Sequence, residues 1–206
     1  MIQLLVATTN PHKVREIRGL LADAPVTLLG LADFPAVDEP EETGRTFAEN
    51  ARLKALYYDR VAPQPHLTVA EDSGLIVDAM NGEPGVHSAR FLRPDASYAE
   101  RFEEIYRRLA AHPDRPRSAR FTVALAAVRN GEVVYETQGV IEGEIADSPR
   151  GLAGFGYDPI FYYPPFQATL AEVSQDAKLR VAHRGIAFRA FSSWLKDAVQ
   201  TKNGEL

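Results

Sequence analysis

The stretch Leu67–Val77, LTVAEDSGLIV, sets the strongest condition on the fold, because it places adjacent carboxylates between two apolar, strand-like runs. Val69 and Ala70 lead in, Leu75 and Ile76 lead out, and Glu71, Asp72, Ser73 and Gly74 lie between. Carboxylates among core-type residues are costly to bury unless a cation faces at least one of them. Gly74 permits a sharp backbone turn here, and Ser73 offers a hydroxyl beside the acids. Two readings are open: a surface turn with solvated acids, or an acidic site whose cationic partners come from elsewhere in the chain.

The rest of the chain limits the second reading usefully. At 206 residues it can build an ample core, and 45% hydrophobic with 25% charged residues is an ordinary globular balance. With no cysteine, disulfides, thiolate nucleophiles and Cys-based zinc sites are excluded. No apolar run approaches the roughly 18–20 residues of a membrane span, and Met1–Ala7 enters a strand without a secretory pattern. The expectation is a cytoplasmic protein with no membrane partner. A net charge of −5 argues against coating nucleic acid, yet leaves room for a local basic pocket for an anionic small molecule.

Such a pocket has candidate parts. Ile2–Ala7 reads as a buried strand, followed by Thr8, Thr9, Asn10, Pro11, His12 and Lys13, and then by Val14, Ile17 and Leu21 at helical spacing. Asn10 before Pro11 is an N-cap signature, and a strand–loop–helix start aims backbone N–H groups and the positive helix end at one spot. The phosphate-loop spacing G-x-x-x-x-G-K-[ST] is absent. Val26–Leu29 reads as a second strand, parallel to the first. Asp33–Arg45 reads as a loop carrying Asp38, Glu39, Glu41 and Glu42. Thr46–Glu49 is a capping box opening a helix to about Val61, with Lys54 on its apolar stripe and Asn50 one turn before it.

Further on, Asn81–Gly85 is a turn cluster, and Ser97–Glu100 is a second capping box whose helix is expected to bury Tyr98, Phe102, Ile105, Tyr106 and Leu109. Asn130–Gly131, between Phe121–Arg129 and Glu132–Tyr135, is a hairpin signal. Gly151–Phe161 combines glycines with aromatics, so a ring could stack on a planar ligand. Lys178, His183 and Arg184 precede a C-terminal helix, where the dipole disfavours cations unless an anion or a base carbonyl is near. Oxygen-only acids suit Mg²⁺, which shares its shell with phosphates. Metal, phosphates and planar base together are the inventory of a nucleotide hydrolase.

These residues carry a family resemblance. Thr8–Thr9–Asn10 with Lys13, Glu42–Thr43–Gly44 with Thr46–Phe47 and Glu49–Asn50, Lys54, and Glu71–Asp72–Ser73–Gly74 come first. Gly82–Glu83–Pro84–Gly85, Ser88–Ala89–Arg90, Gly154–Phe155–Gly156–Tyr157–Asp158–Pro159, Lys178 and His183–Arg184 follow in order. Together they resemble the inosine/xanthosine triphosphate pyrophosphatases, the non-canonical purine nucleoside triphosphate pyrophosphatases. The resemblance implies an α/β fold, a single two-lobed domain over residues 1–206 with a mixed β-sheet flanked by helices and the active-site cleft between lobes. It implies hydrolysis of ITP, dITP and XTP to the monophosphate and pyrophosphate by a homodimer using Mg²⁺. Asp72 would be catalytic and, with Glu42, would hold the metal. Thr8, Thr9, Asn10, Pro11, His12 and Lys13 would cradle the triphosphate beside Lys54 and Ser73. Phe155, Gly156, Tyr157, Asp158, Lys178, His183 and Arg184 would form the base pocket. The chain departs from the family pattern at Thr9, where Ser or Gly is usual, at Ala182, where Ser is usual, and at Glu71, where Asp is common. A related pyrophosphatase of pyrimidine or modified nucleotides, and a nucleotide-binding module without turnover, are the alternatives.

Overall fold

The computed structural model describes residues 2–62 and 66–201. Its strands, β1 (Ile2–Val6), β2 (Val26–Gly30), β3 (Leu67–Val77), β4 (Ser118–Arg129), β5 (Glu132–Ile145), β6 (Phe161–Tyr163) and β7 (Ala168–Thr169), form one seven-stranded mixed sheet in the order β2-β1-β3-β4-β5-β6-β7. β1 pairs in parallel with β2, with α1 (Pro11–Leu20) as the connection. Asn10 caps α1 as its spacing predicts, its side chain accepting from the His12 and Lys13 amides. α2 (Phe47–Val61) starts on the Thr46–Glu49 capping box, and β3 follows, parallel to β1. α3 (Tyr98–Ala110) starts on the Ser97–Glu100 box. β4 and β5 are joined at Asn130 and Gly131, both with positive φ as a tight hairpin demands. The short strands β6 and β7 pair antiparallel, and α4 (Gln175–Val181) and α5 (His183–Thr201) complete the order.

The chain divides into two compact units. Of the described residues, the first holds 2–62, 66–72, 123–139 and 184–201, around Leu4, Val6, Ile17, Leu67, Val69, Leu125, Phe188 and Phe191. The second holds residues 73–122 and 140–183, around Leu75, Val77, Ile105, Phe121, Ile141, Ile160, Phe161 and Leu170.

One local expectation is corrected. The backbone does not turn at Glu71–Gly74: β3 runs unbroken from Leu67 to Val77. Successive strand residues point to opposite faces, so the adjacent acids are separated by the pleat and each meets its own cations. Both are buried, Glu71 3% and Asp72 6% exposed, which excludes the solvated-turn reading.

Candidate active site

Asp72 is reached from α2. Asn50 Nδ2 donates to its Oδ2 at 3.0 Å, and Lys54 Nζ donates to its Oδ1 at 3.1 Å. Lys54 is one turn beyond Asn50, so both side chains leave the same helix face. Lys54 Nζ also donates to Glu42 Oε1 at 2.8 Å, drawing the acidic loop onto the same ammonium. Burial pushes the Asp72 carboxyl above its ordinary range; Lys54 pulls the other way and the Glu42 charge adds to the rise. Burial opposes the Lys54 charge, but Asp72 and Glu42 outweigh it and hold the ammonium above its usual value. The pair is therefore a carboxylate that takes a proton more readily than usual beside an ammonium that keeps its own more firmly than usual.

Glu71 is served by α1 and α5 instead. Lys13 Nζ lies 2.9 Å from its Oε1, and Arg184 donates to the same oxygen at 3.0 Å from Nη2. Arg184 Nη1 donates to Glu16 Oε2 at 2.6 Å. Burial alone would raise the Glu71 carboxyl, but Arg184 and Lys13 overcome it and hold the group well below the usual carboxylate range. Arg184, expected at the base pocket, is thus only 2% exposed and bound to the acids of the first unit.

The expected phosphate loop is differently provisioned than its pattern suggests. The His12 and Lys13 amides are occupied by Asn10 Oδ1 at 3.0 and 3.3 Å, and the Asn10 amide by Thr8 Oγ1 at 3.2 Å. Pro11 and His12 are exposed at the start of α1, and Thr9 borders an apolar cavity with Phe34, Tyr58 and Val61.

In the second unit the Gly154–Asp158 loop is wrapped on one carboxylate. Asp158 Oδ2 accepts the Phe155 amide at 2.8 Å and Lys178 Nζ at 2.6 Å. Gly154 has φ 73°, and a Cβ there would stand 2.1 Å from Asp158 Oδ2, so only glycine lets the loop close so tightly. Lys178 Nζ lies 4.8 Å from the Phe155 ring centroid. Tyr157 donates its hydroxyl to the Ser88 carbonyl at 2.8 Å, and Ser88 Oγ accepts from the Leu75 amide at 2.9 Å. Tyr157, Asp158 and Lys178 are all buried, whereas Phe155 and Gly156 are partly exposed; His183 stacks on Phe121 at 5.0 Å. Ser73, the first residue of this unit, is partly exposed beside Gly74 on β3.

Glu42 and Asp72 offer the hard oxygen donors that a divalent ion takes. Glu42 and Asp72 both reach the Lys54 ammonium, at 2.8 and 3.1 Å. No group of three or more His, Cys, Asp and Glu side chains with metal-site geometry occurs among the described residues. A small hard cation that fills its shell with water and phosphate oxygens suits such a set.

A sequence model of the Ham1 family matches residues 4–194, spanning every segment just described. The chain belongs to the Ham1 family. The chain is 41% identical over 202 residues to a dITP/XTP pyrophosphatase of Geobacillus kaustophilus, covering 98% of each protein. To a dITP/XTP pyrophosphatase of Geobacter sulfurreducens it is 44% identical over 187 residues, 91% of this chain and 93% of that one. Its structure is similar to that of a HAM1 protein from Coxiella burnetii, with TM-score 0.87, 38% identity, and coverage of 96% of this chain and 100% of that one.

Within this Ham1 chain three residues outside the expected site matter locally. Asn50 orients Asp72, and its place one turn before Lys54 is a signal the spacing already carries. Glu16 anchors Arg184; it lies three residues after Lys13, on the same helix face. Arg101 sits under Tyr98 in α3 with nothing in its neighbourhood's pattern to mark it, and Tyr98 itself is 39% exposed rather than buried.

Proposed function

We propose that this Ham1 chain hydrolyses dITP, ITP and XTP to the nucleoside monophosphate and pyrophosphate, with Mg²⁺ as cofactor, and that it works as a cytoplasmic homodimer. The observation that carries the reading is the Asp72 carboxylate, buried, proton-hungry and aligned by Asn50 and Lys54. No helix among the described residues is long and apolar enough to cross a membrane.

The chemistry follows from those contacts. Asp72 accepts a proton from the attacking water as the new P–O bond forms, and the bond between the α- and β-phosphates breaks with its electrons leaving on the departing oxygen. Lys54 stays charged throughout and stabilises the negative charge that develops on the phosphates. Lys13, anchored on Glu71, is the cation of the α1 loop available to the tail, with the Thr8 and Thr9 hydroxyls. Glu42 and Asp72 are the residues that would hold Mg²⁺, which when bound neutralises phosphate charge and polarises the reacting phosphoryl group.

For the base, Phe155 is the stacking ring, and Asp158 with Lys178 fixes the loop that carries it. A site whose polar groups match a 6-keto purine leaves them unpaired when a 6-amino group enters, a penalty of about 1–3 kcal/mol for each buried group. The test is pyrophosphate release, detected apart from free phosphate, across dITP, XTP, ITP, ATP, GTP, dTTP and UTP with Mg²⁺. Turnover confined to the inosine and xanthosine nucleotides is expected; preference for dTTP or UTP, or binding without release, overturns the reading.

A further inference from the structure

Arg101 is a buried cation without an acid. It is 3% exposed, its Nη2 donates to the carbonyls of Pro94 at 3.3 Å and Arg93 at 3.5 Å, its guanidinium also hydrogen-bonds the Tyr98 and Tyr157 hydroxyls, and its Nε has no partner among the described residues. Among the described residues no carboxylate pairs with it. The adjacent Glu100 is turned to the Ser97 amide and to Arg93, and Asp158 is neutralised by Lys178. Arg101 also stands near the start of α3, where the helix dipole opposes a positive charge. Burying an unpaired guanidinium is expensive, so this placement needs a compensating negative charge.

Its surroundings say where that charge would come from. The guanidinium carbon is 4.9 Å from the centre of the Tyr98 ring, Tyr98 meets Tyr157 edge-on at 5.3 Å, and the Tyr98 hydroxyl lies 3.6 Å from where a Gly156 Cβ would be. Arg101 therefore underlies the loop assigned to the base, with the partly exposed Tyr98 ring as the layer above it. Of the purines expected there, xanthine loses a ring proton near neutral pH and becomes anionic, whereas hypoxanthine stays neutral.

We propose that Arg101 is a specificity-determining residue whose uncompensated charge beneath the Gly156–Tyr157 segment favours the anionic base xanthine over hypoxanthine. The proposal deepens the functional reading above and rests on it. One unit charge acting through a few side-chain layers is strong enough to matter at an intermediate dielectric.

The experiment compares kcat and KM for XTP and ITP in wild type, Arg101→Gln and Arg101→Lys. Arg101→Gln is expected to lower the XTP-to-ITP ratio of kcat/KM roughly tenfold, chiefly through a higher KM for XTP, with ITP little changed. Arg101→Lys, which keeps the charge but not the planar fork, is expected to retain the wild-type ratio. An unchanged ratio in Arg101→Gln, or an equal loss on both substrates, overturns the proposal. Should Arg101→Gln fail to fold, Arg101→Met replaces it as the charge-removing variant: a lowered XTP-to-ITP ratio supports the proposal, and an unchanged one overturns it. Wild-type inactivity on both substrates instead strikes down the functional reading itself.

Discussion

Asn50 stands between Gly44 and Asp72, accepting the Gly44 amide on Oδ1 at 2.8 Å and donating from Nδ2 to Asp72 at 3.0 Å. The two bonds fix the amide's orientation, so the Asp72 carboxylate is aligned by a group that has no freedom to flip. Asn50→Ala should destabilise the protein by about 1–3 kcal/mol in urea unfolding, because buried Asp72 and the partly buried Gly44 amide both lose their bond. The Asn50 bond also holds the Asp72 pKa down against burial. Its loss should therefore move the acid limb of the kcat/KM profile to higher pH.

Gly44→Ala tests the same alignment from the other side. A Cβ at Gly44 would stand 2.5 Å from Asn50 Oδ1 and 2.9 Å from the Asn50 amide nitrogen. The helix backbone cannot give way, so the side chain must leave Asp72. A fall in kcat of at least tenfold is expected in steady-state assays, with the Asn50→Ala, Gly44→Ala double variant no worse than the poorer single one.

Asp72→Asn should lower kcat by about 10²–10⁴-fold, the range of a lost general base. The fold should survive, since burial disfavours the charged carboxylate and the amide is nearly isosteric. Circular dichroism and a thermal midpoint close to wild type, alongside lost pyrophosphate release, are the measurements. Turnover near wild type would remove Asp72 from its assigned role.

Mg²⁺ removal should abolish turnover reversibly. With EDTA present, pyrophosphate release is expected to stop and to return on adding excess Mg²⁺, while Glu42→Gln should raise the Mg²⁺ concentration needed for half-maximal rate. Undiminished activity in EDTA would exclude the metal.

How much of this could be read from residues alone varies with distance along the chain. The β1–α1–β2 start, both capping boxes and the Asn130–Gly131 hairpin were legible because their causes are local: periodicity, a cap four residues wide, a two-residue turn. The continuous β3 was not, because Arg184, 113 residues from Glu71, supplies the charge that lets an acid stay in a core strand. For the same reason the cations near residue 180 read as one group, whereas Lys178 folds onto Asp158 and Arg184 onto Glu71 and Glu16. Hydrophobic periodicity says which face is buried, but not which remote acid a buried cation will meet.

That buried network gives an acid-stability prediction. The Glu71 pKa is depressed in the folded state, so its stabilisation is fully present above the ordinary glutamate range and is lost as pH falls below it. Arg184→Gln leaves two buried acids short of their partner and should cost about 3–5 kcal/mol at neutral pH. The variant's Glu71 should titrate nearer its ordinary value, so its urea midpoint should depend less on pH below the glutamate range than the wild type's does.

The cap at Asn10 has a consequence for how a polyanion can be gripped. With two leading amides of α1 already taken by Asn10, the positive charge on offer comes from lysine side chains on separate helices, Lys13 held on Glu71 and Lys54 on Asp72 and Glu42. Attraction of that kind is long in range and easily masked by dissolved ions. Binding of a polyanion there is thus expected to weaken with rising ionic strength more steeply than in proteins that cradle phosphate with bare backbone.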